Sequence, residues 1–341
     1  MTLMPMPKIN STTKTEMNLS NWYTKLKMPK VALQQETILH LLSALKDNKA
    51  NLFVREAYKE HYIHHFYSRR HAILAMIEEM FGLLNEAVSS RYPTEALKSV
   101  ITTIPEDIFR NKERTFWFNR MYMYYKKYTR ADLEYQQIKP FIKGTKILDF
   151  GSGAGFFSLK LQENELDVSS CDVLDYRISD TIHIPFKQMY QPTTIEYKDK
   201  SFDTITVKAV LHHIDPEYLP AIFSELKRVG HRIIIEETVY GLDNNIEGVN
   251  LLSNKQSLLS EFLRLNLKQQ KNALMIIDYI TNILVFGEQN INMPFAYKTL
   301  PEWRKILEEN NIRVVTIEPL GFEKERVTPD CRALIVCETI S

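Results

Sequence analysis

Between residues 19 and 140 apolar side chains recur at spacings of three and four, as in Val31–Leu45 and Ile73–Val88. That is the period of an amphipathic helix. Pro93 and Pro105 fall in short polar breaks, SSRYPTE and TTIPED, where each can open a new helix at its first turn. No alternating pattern competes over this stretch. An all-α N-terminal domain is expected over residues 19–140, behind a Pro-, Ser-, Thr- and Lys-rich tail (1–18) expected to be disordered.

At Thr145 the pattern changes. Short apolar runs now alternate with helical segments: KILDF (146–150), a helix from Phe156, DVSSCDV (167–173), FDTITV (202–207), a helix from Pro216 to Val229, and RIIIEE (232–237). This order implies βαβ units and a parallel sheet with helices on both faces over residues 141–341. IRVVTIE (312–318) and RALIVCE (332–338), separated by a turn at Pro319–Gly321 and a polar loop, read as an antiparallel pair at the sheet edge. Residues 240–300 break the rhythm with a polar loop and a long amphipathic stretch, Leu258–Phe286, before the next plain helix at Glu302–Glu309. An insertion after a strand's C-terminal end lies where α/β proteins place ligands. It reads as a substrate lid, or equally as extra packing against the N-terminal helices.

Charge narrows the function classes. A length of 341 residues suits two domains, and the net charge is only +1. Residues 1–140 hold 21 Lys+Arg against 14 Asp+Glu, and the remainder 22 against 28. The basic front half could attract an anionic partner, but no basic run exceeds two residues, which argues against nucleic acid. Cys171, Cys331 and Cys337 form neither a disulfide framework nor a CxxC metal pattern. The N-terminus lacks a signal-peptide core, and the longest apolar stretch, Ala273–Phe286, is interrupted by Asp278, Thr281 and Asn282 and is too short to span a bilayer. A cytoplasmic protein without membrane insertion is expected.

The strongest local signal is Asp149-Phe150-Gly151-Ser152-Gly153-Ala154-Gly155, where a buried strand runs into alternating glycines and then a helix. A dinucleotide fingerprint needs its third glycine one residue later, where Phe156 stands. A carboxylate at the strand end would repel a pyrophosphate and suits a ligand carrying ammonium and sulfonium charges, so S-adenosylmethionine is favoured over NAD. Asp172, ending the second strand, is placed to hold both hydroxyls of a ribose, or else caps the next turn; Asp175 is a nearby substitute.

With these pieces in order, the block KILDFGSGAGFFSLKL, CDVLDYR, KDKSFDTITVKAVLHHI, ELKRVGHRIIIEE and LPEWRKILEENN resembles the class I S-adenosylmethionine-dependent methyltransferases. The likeness is strongest to the ubiquinone/menaquinone-biosynthesis-type branch and covers residues 140–341; residues 1–140 match no such pattern. The resemblance implies a Rossmann-like seven-stranded sheet, helices on both faces, with the last strand antiparallel. It implies that Asp149 and Gly151, Ser152, Gly153 and Gly155 face the methionine portion, that Asp172 holds the ribose and that Val173 packs on the adenine. Gln191 stands where the family often has an acid touching the adenine, and an amide can accept that bond too. Lys208, Ala209 and His212 would flank the sulfonium, and the end of the aromatic-basic segment Phe116–Arg130, at Tyr128 and Arg130, would fold over the pocket. The rest of that segment reads as a helix with a buried aromatic side and a basic outer side.

Methyl transfer asks for alignment and exclusion of water, and for a base where the acceptor must lose a proton. The candidates are His212 and His213 after the fourth strand, and Glu236 and Glu237 at the end of the fifth. Adjacent residues at a strand end point to opposite sides, so at most one member of each pair is expected to face the pocket. His61 and His65 lie one helical turn apart but have no second ligand pair, and no metal site is expected. The function implied is methyl transfer to a small or medium-sized metabolite under cover of the N-terminal helices and the insertion. The rivals are nucleic-acid methylation and S-adenosylmethionine binding without transfer; the N-terminal helices could also join copies into a homo-oligomer.

Overall fold

A computed structural model describes residues 33–191, 194–242, 248–287 and 291–339. The tail expected over residues 1–18 lies outside this range. Four helices come first: α1 (Gln35–Leu45), α2 (Asn48–His65), α3 (Arg70–Ser89) and α4 (Pro93–Ile104). Asp47 starts α2 by accepting the free N–H groups of Lys49 and Ala50, and Pro93 starts α4 as expected. Pro105 does not open a new helix. The chain continues from α4 into a wide π-type turn, Pro105–Phe109, closed by Arg110 N–H to Pro105 C=O at 2.9 Å. Helix α5 (Phe116–Tyr124), a second such turn (Tyr125–Arg130) and α6 (Ala131–Ile138) lead into the sheet. Trp117, Phe118, Tyr122 and Tyr125 are buried while Tyr124 and Tyr128 are exposed, the expected aromatic-in arrangement.

The strands are β1 (Lys146–Phe150), β2 (Asp167–Asp172), β3 (Phe186–Gln188), β4 (Phe202–Lys208), β5 (Gly230–Tyr240), β6 (Lys298–Thr299), β7 (Ile312–Gly321) and β8 (Arg332–Thr339). Their order is β3-β2-β1-β4-β5-β8-β7, with the two-residue β6 paired to the far end of β5. β1 to β5 are mutually parallel, and β8 is antiparallel to both β5 and β7. The expected seven strands are present, with β6 added. The late pair is antiparallel, but only β7 is at the edge; the last strand inserts between β7 and β5. Pro319–Gly321, expected as a turn, belongs to β7, where a register shift between Pro319 and Gly321 accommodates the proline. Helices α7 (Phe156–Gln162) and α8 (Leu219–Val229) are crossovers.

The insertion after β5 folds as α9 (Val249–Ser253), α10 (Ser257–Leu263) and α11 (Leu267–Tyr279), the last started by an Asn266/Gln269 capping box and prolonged by a turn over Ile280–Val285. Helix α11 is buried on nearly every side, from Gln270 to Tyr279, because α1 and α2 pack against it. The Tyr58 hydroxyl on α2 lies 3.0 Å from the Ile277 carbonyl and 2.6 Å from the Thr281 hydroxyl. One contiguous body of buried side chains runs from Ile38 through Leu148 and Ile277 to Cys337. Helix α12 (Leu300–Glu309), opened by a Thr299/Glu302 capping box, precedes β7. Among the described residues no helix is long and apolar enough to cross a membrane.

Candidate functional site

The glycine loop sits between β1 and α7, closed against β2 by Gly151 N–H to Cys171 C=O at 2.8 Å. Gly151 and Gly153 have φ of +71° and +52°, which side-chain-bearing residues rarely adopt. Their surroundings differ. A Cβ on Gly151 would lie 2.3 Å from Val210 Cγ2, whereas one on Gly153 would meet nothing within 4 Å. The first glycine lets the segment after β4 approach; the second borders open space. Next to it the Ser152 hydroxyl is buried without a hydrogen-bond partner. Gly155, also left-handed, starts α7.

Asp149 is 2% exposed and accepts hydrogen bonds from Ser158 (2.6 Å) and Thr206 (3.1 Å). Burial raises its pKa. Its oxygens are directed at these hydroxyls, so it acts on the loop through its field and by locking α7 to the sheet. Asp172 accepts Gly153 N–H on one oxygen (2.8 Å) and Val173 N–H on the other (2.7 Å). Burial nevertheless pushes its pKa up to about 6. Asp175 is paired with Arg177 at 2.8 Å, which holds its carboxyl low, and is no longer a free substitute. Gln191 is exposed beyond β3.

Lys208, at the end of β4, pairs with Glu134 of α6 and lies 3.5 Å from the Phe157 ring centroid. Arg130 reaches the same Glu134 at 2.6 Å, and Tyr128 stands exposed against Tyr124. Burial alone would raise Glu134, yet Arg130, Lys208 and Arg326 hold it well below the usual carboxylate range. Arg326 also bridges Glu236 (2.8 Å) and Glu323 (2.8 Å), and Arg332 pairs with Glu236 (2.6 Å) and Asp330 (2.6 Å). A buried ionic network therefore joins α6, β5 and the loop before β8. His61 and His65 of α2 brace the same loop, at the Arg326 and Lys324 carbonyls (2.7 and 2.9 Å).

The glutamates follow the strand rule. Glu236 turns to the arginines, with its second oxygen buried and unpartnered, while Glu237 turns to the segment after β4. The histidines do not, and both turn toward the same carboxylate of the insertion. Leu211–His213 is a 3₁₀ turn, in which successive side chains rotate by about 120° rather than alternate. His212 Nδ1 lies 2.6 Å from Glu237 Oε2, whose other oxygen accepts the Val210 and Leu211 N–H groups. Burial works against the His212 charge, but Glu237 overrides it and raises the pKa. His213 Nδ1 lies 2.9 Å from the Asn292 carbonyl, and burial with the neighbouring His212 charge lowers its pKa to about 4.

Both Nε2 atoms approach one carboxylate that sequence reading did not single out. Asp278 Oδ1, on α11, is 3.9 Å from His212 Nε2 and 3.8 Å from His213 Nε2. Asn282 donates to that oxygen and Tyr297, stacked on His212, donates to the other, each at 2.6 Å. The available signal was a lone acid in the apolar run Ala273–Phe286.

The methyltransferase domain family model matches residues 122–316, more than half of the chain. No curated protein matches it. Among solved structures it is similar to an S-adenosylmethionine-dependent methyltransferase of Methanosarcina mazei, at 16% identity over 60% of this chain and 97% of that one, TM-score 0.41. It is also similar to magnesium protoporphyrin IX methyltransferase of Synechocystis PCC 6803 (15%, 62% and 82%, TM-score 0.38). A third is geranyl diphosphate C-methyltransferase of Streptomyces coelicolor (10%, 61% and 77%, TM-score 0.37).

Proposed function

The chain belongs to the methyltransferase domain family, and from that premise we propose that it methylates a small or medium-sized metabolite in a chamber between the glycine loop and the insertion. That it is an S-adenosylmethionine-dependent enzyme rests on the family. The acceptor is what the proposal adds, supported by the likeness of its motifs to the ubiquinone/menaquinone-type branch.

The residues present suit the donor. Gly153 leaves room above the loop, Ser152 offers a buried hydroxyl without a partner, and Asp172 keeps lone pairs for a ribose beside its backbone bonds. Bound there, S-adenosylmethionine supplies a methyl group already activated by its sulfonium. The protein contributes position, dryness and a place for the acceptor's proton.

One observation carries the acceptor side. Val210 packs on Gly151, and two and three residues later His212 and His213 meet Asp278 and Tyr297 from the insertion. Each imidazole has its Nδ1 against an oxygen acceptor, so Nδ1 carries a hydrogen, and His213, its pKa lowered to about 4, presents a lone pair on Nε2. The histidine cluster thus offers a proton acceptor, His213, beside the segment that packs on the cofactor loop. The N-terminal helices act as the clamp that holds α11, and with it Asp278, over the sheet.

The test uses tritiated S-adenosylmethionine with the full-length protein, a low-molecular-weight cell extract and, separately, total RNA and DNA. Label in the small-molecule fraction, lost in Asp278→Asn while donor binding persists, is the expected result. Label confined to nucleic acid would overturn the reading.

A further inference from the structure

His212, His213 and Asp278 each bring one potential ligand atom within 4.8 Å of the others, and both imidazole Nε2 atoms face Asp278 Oδ1. The measured sides, 3.9 and 3.8 Å, are too long for hydrogen bonds. Asn282 donates to Asp278 Oδ1 but to neither imidazole in the bonds above. Three potential ligand groups therefore converge without bonding one another.

We infer that His212, His213 and Asp278 form a binding site for a divalent transition metal of the zinc class, with at least one coordination position left for the acceptor substrate. The inference rests on the functional reading above and deepens it, since the ion would sit beside the segment that packs on the glycine loop.

Three features support it. The donor set is two imidazoles and a carboxylate, which suits zinc, iron, cobalt or nickel better than the all-oxygen preference of magnesium or calcium. Metal–ligand bonds of about 2.0–2.1 Å in a tetrahedral site put ligand atoms roughly 3.3–3.5 Å apart, so the two histidine–Asp278 sides need to contract by about half an ångström. The outer groups are already in place. His212 is braced by Glu237, His213 by the Asn292 carbonyl, and Asp278 by Tyr297 and Asn282. A metal-bound histidine ordinarily needs this kind of partner on its other nitrogen. The sequence shows no ligand spacing because the carboxylate comes from a distant insertion.

Cobalt(II) is the probe. Full-length protein stripped with chelator and titrated with Co²⁺ should bind one ion per chain and develop the intense visible bands of a four- or five-coordinate site. Asp278→Asn should lose those bands. Tyr297→Phe, which keeps the ring on His212 and removes the hydroxyl's bonds to Asp278 and the Leu274 carbonyl, should weaken Co²⁺ by about 10–100-fold. Both variants should bind S-adenosylmethionine as the parent does. Weak octahedral bands only, or bands unchanged in Asp278→Asn, would overturn the site even if methyl transfer proceeds. Specific Co²⁺ binding without transfer to any small molecule would leave the metal site standing and sink the functional reading instead.

Discussion

The carboxylate of Asp172 accepts the backbone N–H of Gly153 at 2.8 Å, so the end of one strand holds the glycine loop that follows its neighbour. One residue thereby shapes the loop and is the one proposed to hold the ribose. Asp172→Ala should weaken S-adenosylmethionine by roughly 1.5–3 kcal/mol per charge-assisted bond lost, more than tenfold, in calorimetry. Its pKa, raised to about 6 by burial, adds a pH signature. The ionised form is the acceptor, and ligand hydroxyls bound to it lower that pKa. Affinity should therefore be full above about pH 6 and decline as pH falls through it. Stability of the ligand-free protein should change in the opposite sense for this group. Its folded pKa exceeds the unfolded one, so its contribution improves as pH drops from about 6 toward 4. A flat affinity profile from pH 8 to 5 would remove Asp172 from the ribose.

Two glycines of one loop should respond differently to the same methyl group. In Gly151→Ala the new Cβ collides with Val210, so both melting temperature and donor affinity should fall. In Gly153→Ala the only folding cost is the left-handed backbone, about 1–2 kcal/mol, because the Cβ enters open space. Donor binding should nevertheless be lost if that space holds the cofactor, as proposed. Full donor affinity in Gly153→Ala would place the ligand elsewhere.

Arg326 is almost completely enclosed and contacts Glu134, Glu236 and Glu323. Removing it strands buried carboxylates. Arg326→Met should cost roughly 3–5 kcal/mol in urea unfolding, the usual penalty for breaking a buried ion pair from one side. A loss below about 1 kcal/mol, the range of exposed pairs, would mean that water enters the network.

What could be read from the sequence was what is decided locally. β1 and the start of α7 fall at the expected residues because a buried strand, a glycine turn and a helix follow one another directly. β3 escaped because it is three residues of mixed polarity. The histidine pair does not alternate because it lies in a 3₁₀ turn, whereas Glu236 and Glu237, still in the strand, do. Asp278, Tyr297 and Arg326 were not singled out for another reason. Their roles depend on segments far apart in the chain, and neither periodicity nor spacing reports such meetings.

The placement of α11 has a consequence for how the protein is made. Tyr58 and Ile277, which touch in the folded state, are 219 residues apart. At a synthesis rate of about 5–20 residues per second, the first helices wait roughly 10–45 s on the ribosome before their packing partner emerges. During that interval Leu41, Val54 and Ile77, all buried in the finished molecule, lack the centre of their core. A nascent chain stalled before residue 267 should thus be a client for chaperones rather than a folded fragment.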